Sequence, residues 1–174
     1  MGAAANRPTD GSGLFGQRFA RRCEELTAEL SNEGMTQLQQ WRLWHAGERG
    51  CSDGMPDDAL LERCPTALGS EERQPSGLQR QVGAALTSLG LRPAEEVVLH
   101  EGSSLDFVVE WVGNRLGVEV DGLSHFVGRK PNSATLLKRR QLRHLGWRLV
   151  SVPYWEWDAA QNRSDYLSSA LDTA

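Results

Sequence analysis

The sequence lacks the features of a membrane-spanning or disulfide-stabilised protein. Its apolar runs all fall short of the roughly 20 consecutive residues that a helix needs to cross a bilayer. Its three cysteines, Cys23, Cys51 and Cys64, are scattered and include no Cys-x-x-Cys pair. This spacing argues against a disulfide framework and against a zinc site built on cysteine. We therefore expect no membrane partner and three reduced thiols.

The N-terminal segment, residues 1–17, lacks the apolar core of a secretory signal and is rich in glycine, alanine and serine. Its charged side chains are Arg7 and Asp10. We predict a flexible N-terminal tail over these residues. A remnant of an organellar targeting segment is the alternative interpretation.

Positive charge is concentrated in one short block of a chain whose net charge is −4. Residues 1–121 hold 11 basic and 19 acidic residues, and residues 156–174 hold one basic and four acidic residues. Residues 122–155, by contrast, hold seven basic residues and no acidic residue. Such a block indicates a directed electrostatic role. A solvated helix face is the alternative, but such a face normally mixes both signs.

The apolar periodicity divides the chain into a helical first half and an α/β second half. A Gly113-Asn114 pair predicts a tight hairpin turn in the second half. We predict helices over 19–30, 35–45, 57–63, 76–89, 135–145 and 165–171, a linker over 65–75, and strands over 97–99, 105–112, 115–121 and 147–153. The resulting division is a tail over 1–17, a helical region over 18–90, an α/β domain over 95–160, and a C-terminal helix or tail over 161–174.

Three carboxylates stand on the two strands predicted to form the hairpin. Asp106 lies on the first strand, and Glu119 and Asp121, two residues apart on the second, share a face. An aspartate followed by an acid-x-acid pair resembles the PD-(D/E)xK nuclease core. Such oxygen clusters hold Mg²⁺, which can activate water. The alternative is that these carboxylates simply decorate an exposed sheet face.

The predicted helix over 135–145 divides the basic block in two. A helical wheel places Lys138 on the inward face, where we expect it to pair with the carboxylates. The same wheel places Arg139, Arg140 and Arg143 outward, where phosphates would lie. The residues that we expect to contact phosphates are Lys130, Arg139, Arg140, Arg143 and Arg148.

Several other side chains have two interpretations. His125 fits a general base or a phosphate ligand, but a histidine at a strand exit also commonly satisfies a backbone hydrogen bond. Trp147, Trp155 and Trp157 fit base stacking, although core packing is the stronger expectation for Trp147. Trp155 and Trp157 share a side only if the strand continues beyond Pro153.

Four motifs in order resemble the RAP domain, a family named for RNA binding and abundance in apicomplexans. They are residues 119–126 (EVDGLSHF), 135–140 (TLLKRR), 145–147 (LGW) and 152–157 (VPYWEW). The resemblance covers about residues 98–158. RAP domains usually lie at the C-terminus of longer proteins whose helical repeats bind RNA. The region before the domain shows no repeat here, so this chain departs from that pattern.

The resemblance implies a restriction-endonuclease-like, PD-(D/E)xK-type mixed sheet with flanking helices. It also implies an organellar location, expected to be the mitochondrion, with the plastid as the alternative. The implied function is RNA binding, mainly to rRNA phosphates, within a ribonucleoprotein such as the mitochondrial ribosome. The expected partners are RNA and ribosomal or other ribonucleoprotein proteins.

The sequence does not decide whether the protein is an enzyme, because the nuclease pattern needs a lysine where this chain has Asp121. Lys138 is the possible substitute. The catalytic candidates are Asp106, Glu119, Asp121, His125 and Lys138, and the candidate metal ligands are Asp106, Glu119 and Asp121. We expect a binding protein without a cofactor. The alternative is a Mg²⁺-dependent endoribonuclease acting on organellar RNA, and a purely protein-binding role is a third possibility.

Overall fold

The computed structural model describes residues 16–49, 55–69 and 74–174. The chain divides into two compact units, Met1–Leu68 and Gly69–Ala174. Most of the predicted tail and Cys51 lie outside the described residues. None of the helices in the described ranges combines the length and the apolar character needed to cross a membrane.

The first unit is helical where it is described. Its helices are α1 (Gln17–Glu25), α2 (Asn32–Arg49), α3 (Asp58–Leu61) and α4 (Cys64–Gly69). Their buried side chains form one small core, which contains Cys23, Met35, Leu38, Leu60, Cys64 and Ala67. Cys23 and Cys64 are free thiols in this core, and burial raises the pKa of both.

Two predictions for the first unit are wrong in detail. Helix α1 ends at Glu25, five residues early, because the Thr27 hydroxyl caps it by donating to the carbonyls of Cys23 and Glu24. The linker predicted over 65–75 begins as helix α4, because Cys64 and Ala67 lie one turn apart and both are buried in the core.

The second unit is a mixed α/β structure built on a four-stranded sheet. The strand order is β1-β2-β3-β6, in which β1, β2 and β3 are antiparallel and β3 and β6 are parallel. The elements are α5 (Gly77–Ser88), β1 (Ala94–Val98), β2 (Ser104–Trp111), β3 (Asn114–Asp121), a 3-10 turn (Leu123–His125), β4 (Phe126–Val127), β5 (Lys130–Pro131), α6 (Ser133–His144), β6 (Arg148–Pro153), α7 (Tyr154–Ala159) and α8 (Arg163–Asp172). The predicted mixed sheet with flanking helices is confirmed.

The helix ends follow local sequence signals. Ser76 caps α5 and Asn132 caps α6, each by accepting a backbone N–H three residues on. Gly146, with φ +85°, ends α6 and lets the Trp147 N–H bond back to Leu142. Helix α6 therefore connects the parallel strands β3 and β6 as a crossover.

The β2–β3 hairpin turns one residue earlier than predicted. Trp111 pairs with Asn114, so the two turn residues are Val112 and Gly113, with φ values of +47° and +74°. Both central residues of such a two-residue turn need positive φ. Val112 adopts this conformation while being 82% exposed.

The two faces of the sheet carry separate apolar cores. Phe107 and Val109 pack with Val82 and Leu86 of α5 on one face. Leu105 packs with Leu142 of α6 on the other face. Strict alternation along a strand would place Leu105 and Phe107 on the same face. They lie on opposite faces because the alternation of β2 breaks at the intervening residue, Asp106.

Candidate functional site

The acidic residues are brought together where the parallel strands β3 and β6 end. Glu119 pairs in register with Ser151, and Asp121 pairs with Pro153. The carboxyl ends of adjacent parallel strands meet at one edge, which is where open α/β sheets bind ligands. Helix α6 begins beside this edge, because the Asn132 N–H and the Thr135 hydroxyl both donate to the His125 carbonyl.

Glu119 and Lys138 form the first ion pair of the site. The Lys138 Nζ lies 2.6 Å from the Glu119 Oε2, so the predicted inward orientation of Lys138 is confirmed. The Glu119 side chain is 5% exposed, and its Oε1 has no hydrogen-bond partner among the described residues. Burial raises the pKa of Glu119 to about 7; Lys138 opposes this rise, and Asp106 and Asp121 add to it.

Asp121 and Arg139 form the second ion pair. The Arg139 guanidinium lies 2.5 Å from the Asp121 Oδ2, and the two side chains are 14% and 2% exposed. The Ser151 hydroxyl donates to the same carboxylate oxygen at 2.6 Å and accepts from Arg139 at 2.6 Å. Arg139 and Ser151 therefore both contact the Asp121 Oδ2, and the charge of Asp121 is neutralised inside the protein.

The predicted outward orientation of Arg139 is therefore wrong. The buried stripe of α6 is formed by Thr135, Gln141 and Leu142, two of which are polar. Arg139 lies four residues after Thr135 and three before Leu142, so it falls on that stripe. The helical wheel took the leucines of the helix as its inward face. That choice gave the wrong rotation, because Leu137 and Leu145 are only half-buried.

Asp106 lies where the alternation of side chains between the two faces of β2 breaks. Its Oδ2 accepts the Val120 N–H at 2.7 Å, so the carboxylate takes the place of a ladder partner. Glu96, on the neighbouring strand, has φ +47°. Burial raises the pKa of Asp106, whereas the Val120 hydrogen bond and the charge of Lys138 lower it.

The three candidate metal ligands thus meet at one end of the sheet, each with its own donor. In residues 16–49, 55–69 and 74–174, no group of three or more His, Cys, Asp or Glu side chains is placed to hold a metal ion. Positive charge is supplied instead by Lys138 and Arg139. The arrangement can neutralise two buried carboxylates with side chains from one helix.

His125 bridges the acidic network and α6. Its Nδ1 lies 3.6 Å from the Asp121 Oδ1 and 3.4 Å from the Thr135 Oγ1, and its side chain is 42% exposed. Its backbone carbonyl also accepts two hydrogen bonds at the start of α6. The backbone of His125 therefore has a structural role at the start of α6, and the role of its partly exposed ring as a general base or a phosphate ligand stays a prediction.

The outer side of α6 carries exposed cations. Leu136, Arg140 and Arg143 are spaced i, i+4 and i+7, and all three are exposed. Lys130 precedes the helix and Arg148 follows it, and both are exposed as well. Arg148 also donates to the backbone carbonyl of Ala174. We call Lys130, Arg140, Arg143 and Arg148 the basic face.

The tryptophans differ in their surroundings. Trp157 is fully buried, and its Nε1 donates to Gln81 at 3.1 Å, so it belongs to the core. Trp147 is half-buried, with the Arg115 guanidinium 5.3 Å from its ring centre. Trp155 is half-buried on α7 and lies against Phe126 and Tyr154.

Sequence reasoning missed three residues of this region: Phe126, Ser151 and Tyr154. Ser151 alternates with the buried Val150 and Val152 on a strand, which was the available signal for a polar side chain facing the carboxylates. The strand β4, which carries Phe126, has only two residues. A two-residue strand is too short to produce a recognisable alternation.

Comparison with known proteins agrees with the motifs. Residues 118–169 match the family model of the RAP domain. A relative described as "RAP domain-containing protein, chloroplastic", from Oryza sativa subsp. japonica, is 33% identical over 113 residues. The aligned region covers 62% of this chain but 17% of that relative, so the chain spans less than a fifth of its length. The resemblance to the RAP domain is confirmed over the segment from β3 to α8.

Proposed function

We propose that this protein binds RNA through the basic face, mainly by contacts to phosphates. The observation that carries this proposal is the exposure of these four cations, which belong to a segment, residues 122–155, that contains no acidic residue. The match of residues 118–169 to the RAP domain supports RNA as the polyanion.

The contrast between the buried and the exposed cations of α6 supports the same proposal. Lys138 and Arg139 neutralise buried carboxylates and are not available for phosphates. Arg140 and Arg143 are exposed one turn apart. Contacts of this kind give affinity that depends on salt and carries little base specificity. Arg139 therefore leaves the set of RNA-binding residues in this proposal.

The setting that we propose is an organellar ribonucleoprotein in which rRNA is the ligand. The resemblance of the motifs to the RAP domain implies an organelle, expected to be the mitochondrion and for example its ribosome, whereas the chloroplastic name of the rice relative supports the plastid. We further propose a restriction-endonuclease-like fold for residues 95–160, supported by the strand positions of Asp106, Glu119 and Asp121.

The test is charge reversal on the basic face. The double variant Arg140→Glu/Arg143→Glu should lose at least tenfold in affinity for a fluorescent RNA, measured by anisotropy, and should show a flatter salt dependence. The control is Arg80→Glu/Arg92→Glu, which changes two exposed arginines outside the block by the same charge. Equal losses in both double variants would show that only net charge matters and would refute this surface.

A Mg²⁺-dependent endoribonuclease is the second candidate function. The observation that favours it is the buried Oε1 of Glu119, which has no hydrogen-bond partner within the described part of the chain, on a carboxyl whose pKa is raised to about 7. Glu119 and Asp106 would hold the ion, but Lys138 already occupies the other oxygen of Glu119. The residues therefore fit a metal poorly, and phosphate binding by the basic face needs none.

This second candidate has its own test. Cleavage of single-stranded and structured RNA should require added Mg²⁺ and should disappear in Glu119→Gln, while RNA affinity stays unchanged. Absence of turnover on both RNAs at saturating Mg²⁺ would exclude the nuclease and would leave the RNA-binding proposal standing.

A further inference from the structure

Three aromatic side chains lie together just beyond the carboxyl ends of the parallel strands. We call Phe126, Tyr154 and Trp155 the aromatic cluster. The ring centres of Phe126 and Trp155 are 4.3 Å apart, and those of Tyr154 and Trp155 are 5.2 Å apart, both in edge-to-face packing. Such packing fixes the orientation of the rings before any ligand arrives.

The aromatic cluster is not part of the apolar core. Its three members are half-buried, whereas Trp157, two residues further along α7, is fully buried and hydrogen-bonded. Phe126 stands on the small β4–β5 hairpin, whose pairing joins Phe126 to Pro131 and Val127 to Lys130. The rings thus remain partly open to solvent at the edge where α/β sheets bind their ligands.

Positive charge adjoins these rings. Lys130 is paired with the residue next to Phe126, and Arg129 lies in the turn of the same hairpin; both are exposed. Glu156 is the acidic residue that follows Trp155 in the sequence. Its carboxylate accepts a hydrogen bond from the Tyr166 hydroxyl at 3.0 Å. A ligand that suits this combination carries phosphates and a flat apolar ring together.

We infer that the aromatic cluster stacks an unpaired base of single-stranded RNA while Arg129 and Lys130 contact the adjoining phosphates. This inference rests on the proposed RNA binding and narrows the ligand to unpaired nucleotides. Bases in a duplex are stacked on each other and hide their faces, so a stacking platform selects single strands. The basic face alone does not make this distinction, because phosphates occur in both forms.

The experiment compares two labelled probes by fluorescence anisotropy: a short oligouridylate, and an oligomer of equal length and charge whose central residues are abasic. The full chain should bind the oligouridylate about tenfold more tightly, in line with the usual strength of base–aromatic stacking. Trp155→Leu, which keeps an apolar side chain and removes the ring, should abolish this preference. Trp155→Phe should retain most of it.

Trp147→Leu is the matched control, because Trp147 is also half-buried but precedes the opposite end of β6. It should leave the preference for bases unchanged, and circular dichroism should show folded protein for each variant. If Trp155→Leu does not fold, Tyr154→Leu provides the same comparison. Equal binding of both probes by the unmodified chain overturns the stacking inference and leaves phosphate binding intact. Binding of neither probe overturns the proposed function and the stacking inference with it.

Discussion

The two sides of helix α6 use the same residue types for opposite purposes. On the inner side, Lys138 and Arg139 lie 2.6 Å and 2.5 Å from buried carboxylate oxygens. On the outer side, Arg140 and Arg143 are exposed. Arg139 and Arg140 are neighbours in sequence, yet one is held in the interior and the other faces solvent.

The two sides show that a buried cation and an exposed cation have different effects on the protein. Breaking a buried ion pair leaves one charge without a partner in a medium that solvates it poorly, which is costly. An exposed cation is solvated by water, so its removal changes stability little but changes the field that a phosphate experiences. The inner cations should therefore matter for folding, and the outer cations for binding.

The largest effect should come from breaking the inner side at Arg139. Arg139→Ala leaves Asp121 buried with the Ser151 hydroxyl and, at 3.6 Å, the His125 ring beside it, but without the guanidinium charge. We therefore expect a loss of about 3–5 kcal/mol in the free energy of unfolding. Urea unfolding at neutral pH measures it. Adding Asp121→Asn should recover part of the loss, because it removes the unpaired charge. Identical unfolding midpoints for Arg139→Ala and Arg140→Ala would contradict the distinction between the two sides.

A smaller effect should appear as pH dependence through Glu119. Its pKa is raised from 4.5 to about 7 in the folded protein. Between these values the folded state holds a proton that the unfolded state has released, so this contribution to stability is present at low pH and lost as pH rises through 7. We expect Glu119 to lower the unfolding free energy by about 1–3 kcal/mol over that interval.

Glu119→Gln should flatten this pH dependence, because the amide does not titrate. Urea unfolding at constant ionic strength, at several pH values between about 4.5 and 7.5, measures the slope. Glu110→Gln is the control, since Glu110 is an exposed glutamate on the adjacent strand β2. The same slope in the unmodified chain and in Glu119→Gln would show that another group is responsible.

The smallest effect on stability should come from the outer side. Arg140→Ala/Arg143→Ala should change the unfolding free energy by less than about 0.5 kcal/mol, because both side chains are exposed. The same variant should reduce the slope of log affinity for RNA against log salt by about 1 to 2, as two phosphate contacts are lost. A large loss of stability with an unchanged slope would reverse the assignment of the two sides.

Much of the second unit could be predicted from local patterns. Helices α5 and α6 follow from apolar spacing, from the caps Ser76 and Asn132, and from the terminating Gly146. Strands β2, β3 and β6 follow from their apolar content and turn residues. The motifs also predicted the RAP domain, which the family match over residues 118–169 confirms.

Other parts of the site could not be predicted because they depend on contacts between distant residues. Leu105 changes face because the Asp106 carboxylate binds the Val120 N–H on the neighbouring strand. The aromatic cluster joins Phe126 to Tyr154 and Trp155, which lie almost thirty residues later and meet it only when β3 and β6 pair. Neither contact leaves a periodic signal in one segment.

The sequence by itself determined which residues of helix α6 carry charge, because the block from 122 to 155 contains seven cations and no acid. Only the tertiary structure decided which of those cations are neutralised. The rotation of α6 about its axis is set by the burial of Thr135, Gln141 and Leu142 against the sheet. That rotation turns Arg139 towards Asp121 and leaves Arg140 in solvent, because adjacent residues on a helix point about 100° apart.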